Sequence, residues 1–229
     1  MTESSVPVVT IDGPSGSGKG VITHRLAQAL GFHILDSGAL YRLIGLAARK
    51  HGVSFDDEAH LAELARGLDV EFVPTGSDEN PLSVQLEGED VTLSLRTDEA
   101  GTDASRVAPI AAVRDGIKDL QRGFRRPPGL VADGRDMGTV VFTDAAVKIY
   151  LTASAEARAE RRYKQLIGKG ISGSLHDLFE SIKARDERDM NRKVAPLRPA
   201  SDAVVIDSTA LTIDEVFAQV LSIVTKKLD

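Results

Sequence analysis

The 229 residues contain no cysteine, which excludes a disulfide framework and thiolate chemistry and fits a reducing compartment. No stretch approaches the roughly 18 consecutive apolar residues that a bilayer span needs. Met1 to Ser5 has no basic flank and no apolar core after it, so it does not read as a signal peptide. A cytoplasmic protein is expected. Positive charge is also short: 28 Lys and Arg stand against 34 Asp and Glu, a net charge of −6. That balance gives no general attraction to nucleic acid or to anionic membrane, so an anionic substrate must be captured locally. His24, His33, His51, His60 and His176 lack metal-ligand spacing, and no Ser/His/Asp triad is suggested. No structural metal is expected, and His33 should be packed in its strand. Internal repeats and low-complexity tracts are missing.

What is present is a globular chain, 42% hydrophobic, built around one stretch. The apolar run Pro7 to Ile11 leads into Gly13, Pro14, Ser15, Gly16, Ser17, Gly18 and Lys19, and a helix pattern follows. A strand entering a G-x-x-x-x-G-K loop that opens a helix lets backbone N–H groups converge on a phosphate, with the helix N-terminus adding partial positive charge. Lys19 then reaches the distal phosphates. The bland alternative is a Gly/Ser-rich turn before an amphipathic helix, but strand, loop, lysine and helix all occur in order. The hydroxyl residue that usually follows the lysine is replaced by Gly20, and Val21 comes next. Since that hydroxyl normally helps hold Mg2+, Ser15, Ser17, another carboxylate or water must take its place.

Ile22, Leu26 and Leu30 recur at helical spacing, with Gly31 where a left-handed cap belongs. Phe32 to Leu35 reads as a second strand and Leu40 to Ala48 as a second helix, closed by Gly52. This alternation predicts an α/β fold with a parallel sheet. From Leu68 to Val91 the apolar residues alternate in two runs around a turn-rich segment, Pro74 to Pro81, which predicts a small antiparallel insertion. Further on come a helix over Ile110 to Phe124, strands at 130–132, 147–151 and 203–206, and helices from Ser154, Ser174 and Thr212, the last two with capping-box spacing.

Asp133 ends an apolar strand, where a carboxylate can serve the Mg2+ of a bound nucleotide, directly or through water; alternatively it caps a turn before Gly134. Arg135 and Asp136 follow at the same strand end, the edge at which open α/β sheets bind ligands. Between Arg158 and Arg198, seven Arg and four Lys face six Asp and Glu. Arg158, Arg161 and Arg162 share a helix face beside Gly168, Lys169 and Gly170, which suits a mobile lid that brings arginines to a polyphosphate; a solvated face is the alternative. Arg185, Asp189 and Arg192 lie on nearly one face and read as an intrahelical salt-bridge ladder worth about a few tenths of a kcal/mol per pair.

Four segments together resemble the bacterial-type cytidylate kinase family of nucleoside monophosphate kinases. They are Ile11 to Gly20, Leu35 to Arg42 (L-D-S-G-A-L-Y-R), Ala132 to Thr139 (A-D-G-R-D-M-G-T), and Arg185 to Arg192 with Ala195, Pro196 and Leu197. The resemblance spans nearly the whole chain and accounts for Gly20, since the family has G-K-G there. Val21 departs from it, because the family has a hydroxyl residue at that position. What the resemblance implies is a P-loop NTPase-type sheet with an inserted monophosphate-binding region and a helical lid. It implies ATP binding by Gly13 to Val21, and CMP or dCMP binding by Ser37, Tyr41, Arg42, Ser105, Arg114, Arg135, Asp136, Arg185, Asp189 and Arg192. Tyr41, Arg42 and Arg135 would meet the CMP phosphate, Ser105, Arg114 and Asp136 the cytosine, and Asp189 with Arg185 the sugar. Lys19, Arg135, Arg158, Arg162 and Arg192 would serve transfer.

The outline expected is one kinase domain over 1–229. Its core takes in about 1–38, 107–153 and 193–229, the monophosphate-binding region about 39–106, and the lid with its following helix about 154–192. The activity expected is in-line transfer from ATP to CMP or dCMP with Mg2+, by a monomer without nucleic-acid or membrane partners. Two alternatives stand beside it: a kinase for UMP, AMP or a small metabolite, and a nucleotide-dependent switch. The lack of an N-K-x-D motif speaks against a GTPase switch.

Overall fold

The computed structural model describes residues 6–74, 82–168 and 172–228. The chain divides into two compact units, one from residues up to Asp36 and from Gln121 on, the other Ser37–Leu120.

The first unit is a five-stranded sheet in the order β2-β6-β1-β7-β8, with β1 Val8–Asp12, β2 His33–Asp36, β6 Leu130–Gly134, β7 Val147–Thr152 and β8 Val204–Asp207. All four pairings are parallel. Every residue of β1 and β6 is buried, as expected of strands covered on both faces. Helices α1 Lys19–Leu30 and α8 Ile213–Leu228 supply Ile22, Leu26, Val216, Val220 and Val224 to a core shared with Val9, Ile11, Val131 and Ile149. Gly31 ends α1 in the left-handed conformation and donates to Ala27 and Gln28 carbonyls. Thr212 and Glu215 form the reciprocal box that starts α8, each backbone N–H meeting the other's side chain. The remaining helices are α6 Ala155–Gly168 and α7 Leu175–Met190, the latter capped by Ser174 accepting from the Asp177 N–H. His33 is not packed as expected: β2 is the sheet edge, and the ring is exposed with Nε2 3.0 Å from the Pro127 carbonyl.

The second unit holds α2 Ser37–Lys50, α3 Glu58–Arg66, α4 Asp98–Val107, most of α5 Ala111–Gly123, and an antiparallel sheet of β3 Val70–Pro74, β4 Leu82–Leu86 and β5 Glu89–Asp90. It runs to Leu120, whereas the expected outline ended the region near 106. The expected insertion is therefore a three-stranded sheet; its β4–β5 turn uses Glu87 and Gly88, both at positive φ, as a type I′ hairpin demands. Residues 75–81, most of the predicted turn, lie outside the described residues.

Helices α3 and α4 were not legible in the pattern. The buried face of α4 is Ala100, Asp103, Ala104 and Val107, with hardly a large apolar residue. Its small residues let α2 approach: a Cβ on Gly45 would stand 2.7 Å from the Asp103 Cβ. Buried Asp103 receives Arg49 Nε and Nη2 of α2. Gly45→Ala should therefore destabilise the protein by about 1–3 kcal/mol through overpacking, read as a lower denaturation midpoint at unchanged slope; an unaltered midpoint would mean the helices separate freely.

Candidate active site

The loop after β1 begins where its backbone is closest to β7. Gly13 has φ 152°, and a Cβ there would lie 2.0 Å from the Leu151 carbonyl oxygen, so no side chain fits. Its N–H donates to Gly134 O at 3.3 Å, tying the loop to the end of β6. Ser17 Oγ and Lys19 Nζ both donate to Pro14 O, at 3.1 and 2.7 Å. The Lys19 ammonium is thus folded over its own loop and buried. Desolvation pushes its pKa down to about 7, Arg135 adds to this, and Asp133, Asp12 and Asp36 oppose it. A buried lysine that burial and a neighbouring arginine drive toward neutrality is a group that an anion would recharge.

Asp133 is buried at the end of β6, and its Oδ2 lies 3.8 Å from where a Gly20 Cβ would stand. The carboxylate therefore flanks the position of the missing hydroxyl. Burial, followed by the repulsion of Asp36, pushes its pKa up to about 7. Val21 is half exposed on α1. Asp12 is the residue that sequence reasoning passed over. Its two oxygens accept the N–H groups of Met137 and Gly138, each at 2.8 Å, anchoring a π-helical turn over Met137–Val141. Burial raises its pKa to about 6 even against those bonds. An Asp ending the loop-bearing strand was the available signal, but its partners lie 125 residues away.

Among the described residues, no three or more His, Asp or Glu side chains form a group that could hold a metal. One strand-end carboxylate beside a phosphate loop nevertheless fits Mg2+, which keeps several waters and takes its other ligands from the phosphates.

Two of the arginines share one partner. Buried Asp189 accepts Arg135 Nε at 3.1 Å and also pairs with Arg192. Of the expected ladder the Arg192–Asp189 pair is present, but its carboxylate is buried and is joined as well to Arg135 at the end of β6. The supposed common face of α6 also diverges: Arg158 reaches Asp186 and the Ser15 carbonyl, whereas Arg161 donates to Ser208 Oγ and O. Arg162 is half-buried, and Arg185 lies on α7. Asp136 is buried at the start of the π-helical turn. Of the predicted glycine hinge, Lys169 and Gly170 lie outside the described residues.

In the second unit, Ser37 is buried at the start of α2. The Arg114 guanidinium stands 5.6 Å from the centre of the buried Tyr41 ring and donates to Ala108 O. Arg42 donates to Leu95 O at 3.1 Å, and Ser105 Oγ to Gly101 O within α4.

A parallel sheet whose central strand runs into a phosphate loop, with a carboxylate on the adjoining strand end and arginines pinned beside both, defines a phosphate-binding-loop kinase. The family model described as cytidylate kinase matches residues 9–226. This chain belongs to the cytidylate kinase family. It is 59% identical over 217 residues to the cytidylate kinase of Pseudomonas fluorescens, covering 94% of each chain. It is 55% identical over 222 residues to that of Aeromonas salmonicida, covering 97% of this chain and 95% of the relative. The crystal structure of TT1252 from Thermus thermophilus shares the fold at 20% identity, with a TM-score of 0.50 and 98% of both chains covered.

Because the ligand-free Lys19 titrates near 7, polyphosphate binding should return it to its charged form. ATP titrated in EDTA at pH 7.5 should therefore be accompanied by proton uptake, seen as a binding enthalpy that varies with the ionisation heat of the buffer. An enthalpy independent of the buffer would mean that Lys19 is already fully charged.

Proposed function

We infer that this chain transfers the γ-phosphoryl group of ATP to CMP or dCMP, giving ADP and CDP or dCDP. The observation that carries the reading is the coincidence of the cytidylate kinase match with an intact loop, Lys19 and a flanking Asp133 on adjacent strands.

The loop N–H groups from Gly13 to Val21 take the ATP phosphates, and Lys19 leaves the Pro14 carbonyl to meet the distal ones. Mg2+, held by Asp133 through water, would neutralise charge on the transferring phosphoryl group. Arg162 and Arg192 stabilise the charge that develops in transfer, and Arg135 aligns the acceptor. The CMP phosphate is already an anion near neutral pH, so no general base is required. Residues assigned to CMP are Ser37, Tyr41, Arg42, Ser105, Arg114, Arg135, Asp136, Arg185, Asp189 and Arg192. Cytosine offers an amino donor where uracil has a carbonyl acceptor, so the Asp136 carboxylate favours cytosine.

The test is ADP production from ATP with Mg2+ and CMP, dCMP, UMP, AMP or no acceptor. Turnover should concentrate on CMP and dCMP; turnover indifferent to the acceptor would overturn the kinase reading. Arg135→Ala should lower kcat by about 100-fold or more, while Arg192, still paired with Asp189, keeps the melting temperature nearly unchanged. Asp136→Asn, which presents an amide donor, should shift the CMP-to-UMP preference by about tenfold toward UMP. An unchanged ratio would remove Asp136 from base recognition.

A further inference from the structure

One carboxylate of α7 has no part in the chemistry assigned above. Asp186 precedes Asp189 by three residues, so the two share a helix face. Asp189 holds Arg135 and Arg192, whereas Asp186 holds Arg158. Arg158 Nη1 donates to Asp186 Oδ1 at 3.0 Å and Nη2 to Oδ2, a two-point pair. The same Nη1 donates to Ser15 O at 3.0 Å, and Nε to Ala153 O at 2.9 Å. Four of the five guanidinium N–H groups are thereby engaged. The Arg158 side chain is 4% exposed and that of Asp186 14%. Arg158 also lies along the loop, its Cβ 3.4 Å from where a Gly16 Cβ would stand.

Ser15 lies in the phosphate loop, which binds by turning N–H groups inward and so must turn carbonyls outward. In a trans peptide, C=O and N–H point in opposite directions. A donor that holds the Ser15 carbonyl on the outside therefore turns the Gly16 N–H of the same peptide to the inside. Arg158 is that donor, and Asp186 fixes its guanidinium plane at two points. Lysine at 158 could not take the geometry, having no planar fork.

We propose that Asp186 is a positioning residue for ATP, which clamps Arg158 behind the loop so that the Ser15–Gly16 peptide is set for phosphate before the nucleotide arrives. Arg158 is then a brace on the outer side of the loop rather than a ligand of the transferring group. The proposal rests on the reading that this loop binds ATP.

The test is ATP and CMP affinity, by titration calorimetry on the full chain, for wild type, Asp186→Ala, Asp186→Glu, Arg158→Ala and the double variant Arg158→Ala/Asp186→Ala. Asp186→Ala should weaken ATP by about tenfold and leave CMP affinity nearly unchanged, whatever the loss of a buried ion-pair partner does to the melting temperature. Asp186→Glu, which restores the carboxylate, should recover most of the loss. In the Arg158→Ala background, loss of Asp186 should cost nothing further, since the two residues act as one device. Unchanged ATP affinity in Asp186→Ala would overturn the proposal, as would additive losses in the double variant. Equal weakening of ATP and CMP would also overturn it, by showing a merely structural role. Wild-type protein that bound no ATP would instead bring down the underlying kinase reading.

Discussion

The two hydrogen bonds that the Asp12 carboxylate accepts from Met137 and Gly138 tie the root of the phosphate loop to the turn after β6. Asp12 ends the strand from which the phosphate loop springs. Met137 and Gly138 open the turn that follows Arg135 and Asp136. Burying a carboxylate costs free energy, and the pKa of Asp12 rises accordingly, but two backbone donors offset much of that cost. The direction of the turn is thereby referred to the loop rather than to solvent. Gly13 makes a complementary contact, with its N–H on Gly134 and its bare α-carbon against Leu151. The loop is thus fixed at its root on both sides, by β6 and by β7.

Electrostatics within the sheet unit follow one rule: charged groups near the loop are buried in partnership rather than left to water. Asp189 receives two arginines, Asp186 receives one, and Arg161 is spent on Ser208. Such pairs add little net stability, yet they hold long side chains still. Lys19, Asp133 and Asp12 carry the cost of burial most plainly, for it pushes all three toward their neutral forms. Lys19 and Asp133 also stand where a nucleotide phosphate and its metal would supply opposite charge. Burial penalties of this kind, gathered beside the phosphate loop, are the mark of a candidate binding site.

Features with short-range causes were legible from the residues alone. The loop, the Gly31 cap, the Thr212–Glu215 box and the strand-end Asp133 each need only a few neighbours, and each stands where its pattern put it. Helix α3 is nine residues long, with only Leu61 and Leu64 as large apolar residues, and α4 is built mostly of small and polar residues, so neither shows a sustained hydrophobic period; Gly45 and Asp103 show that close approach, not large apolar side chains, joins α4 to α2. His33 was misplaced because edge and central strands look alike until the order of strands is known. The partners of Asp12, Asp186 and Asp189 were illegible for a different reason. Met137 and Gly138 reach Asp12, Arg158 reaches Asp186 and Arg135 reaches Asp189 from elsewhere in the chain, and local spacing carries no signal of such contacts.

The central position of β1 also bears on how the chain is made. Val8–Asp12 pairs on one side with 130–134 and on the other with 147–150. On a ribosome adding roughly 5–20 residues per second, this strand, buried along its whole length in the fold, must wait several seconds or more before either neighbour emerges. The contiguous stretch from Ser37 to Leu120 meanwhile has all its own elements in hand. High contact order is thus confined to the sheet, and the strand that carries the catalytic loop is the one most in need of protection from aggregation during synthesis.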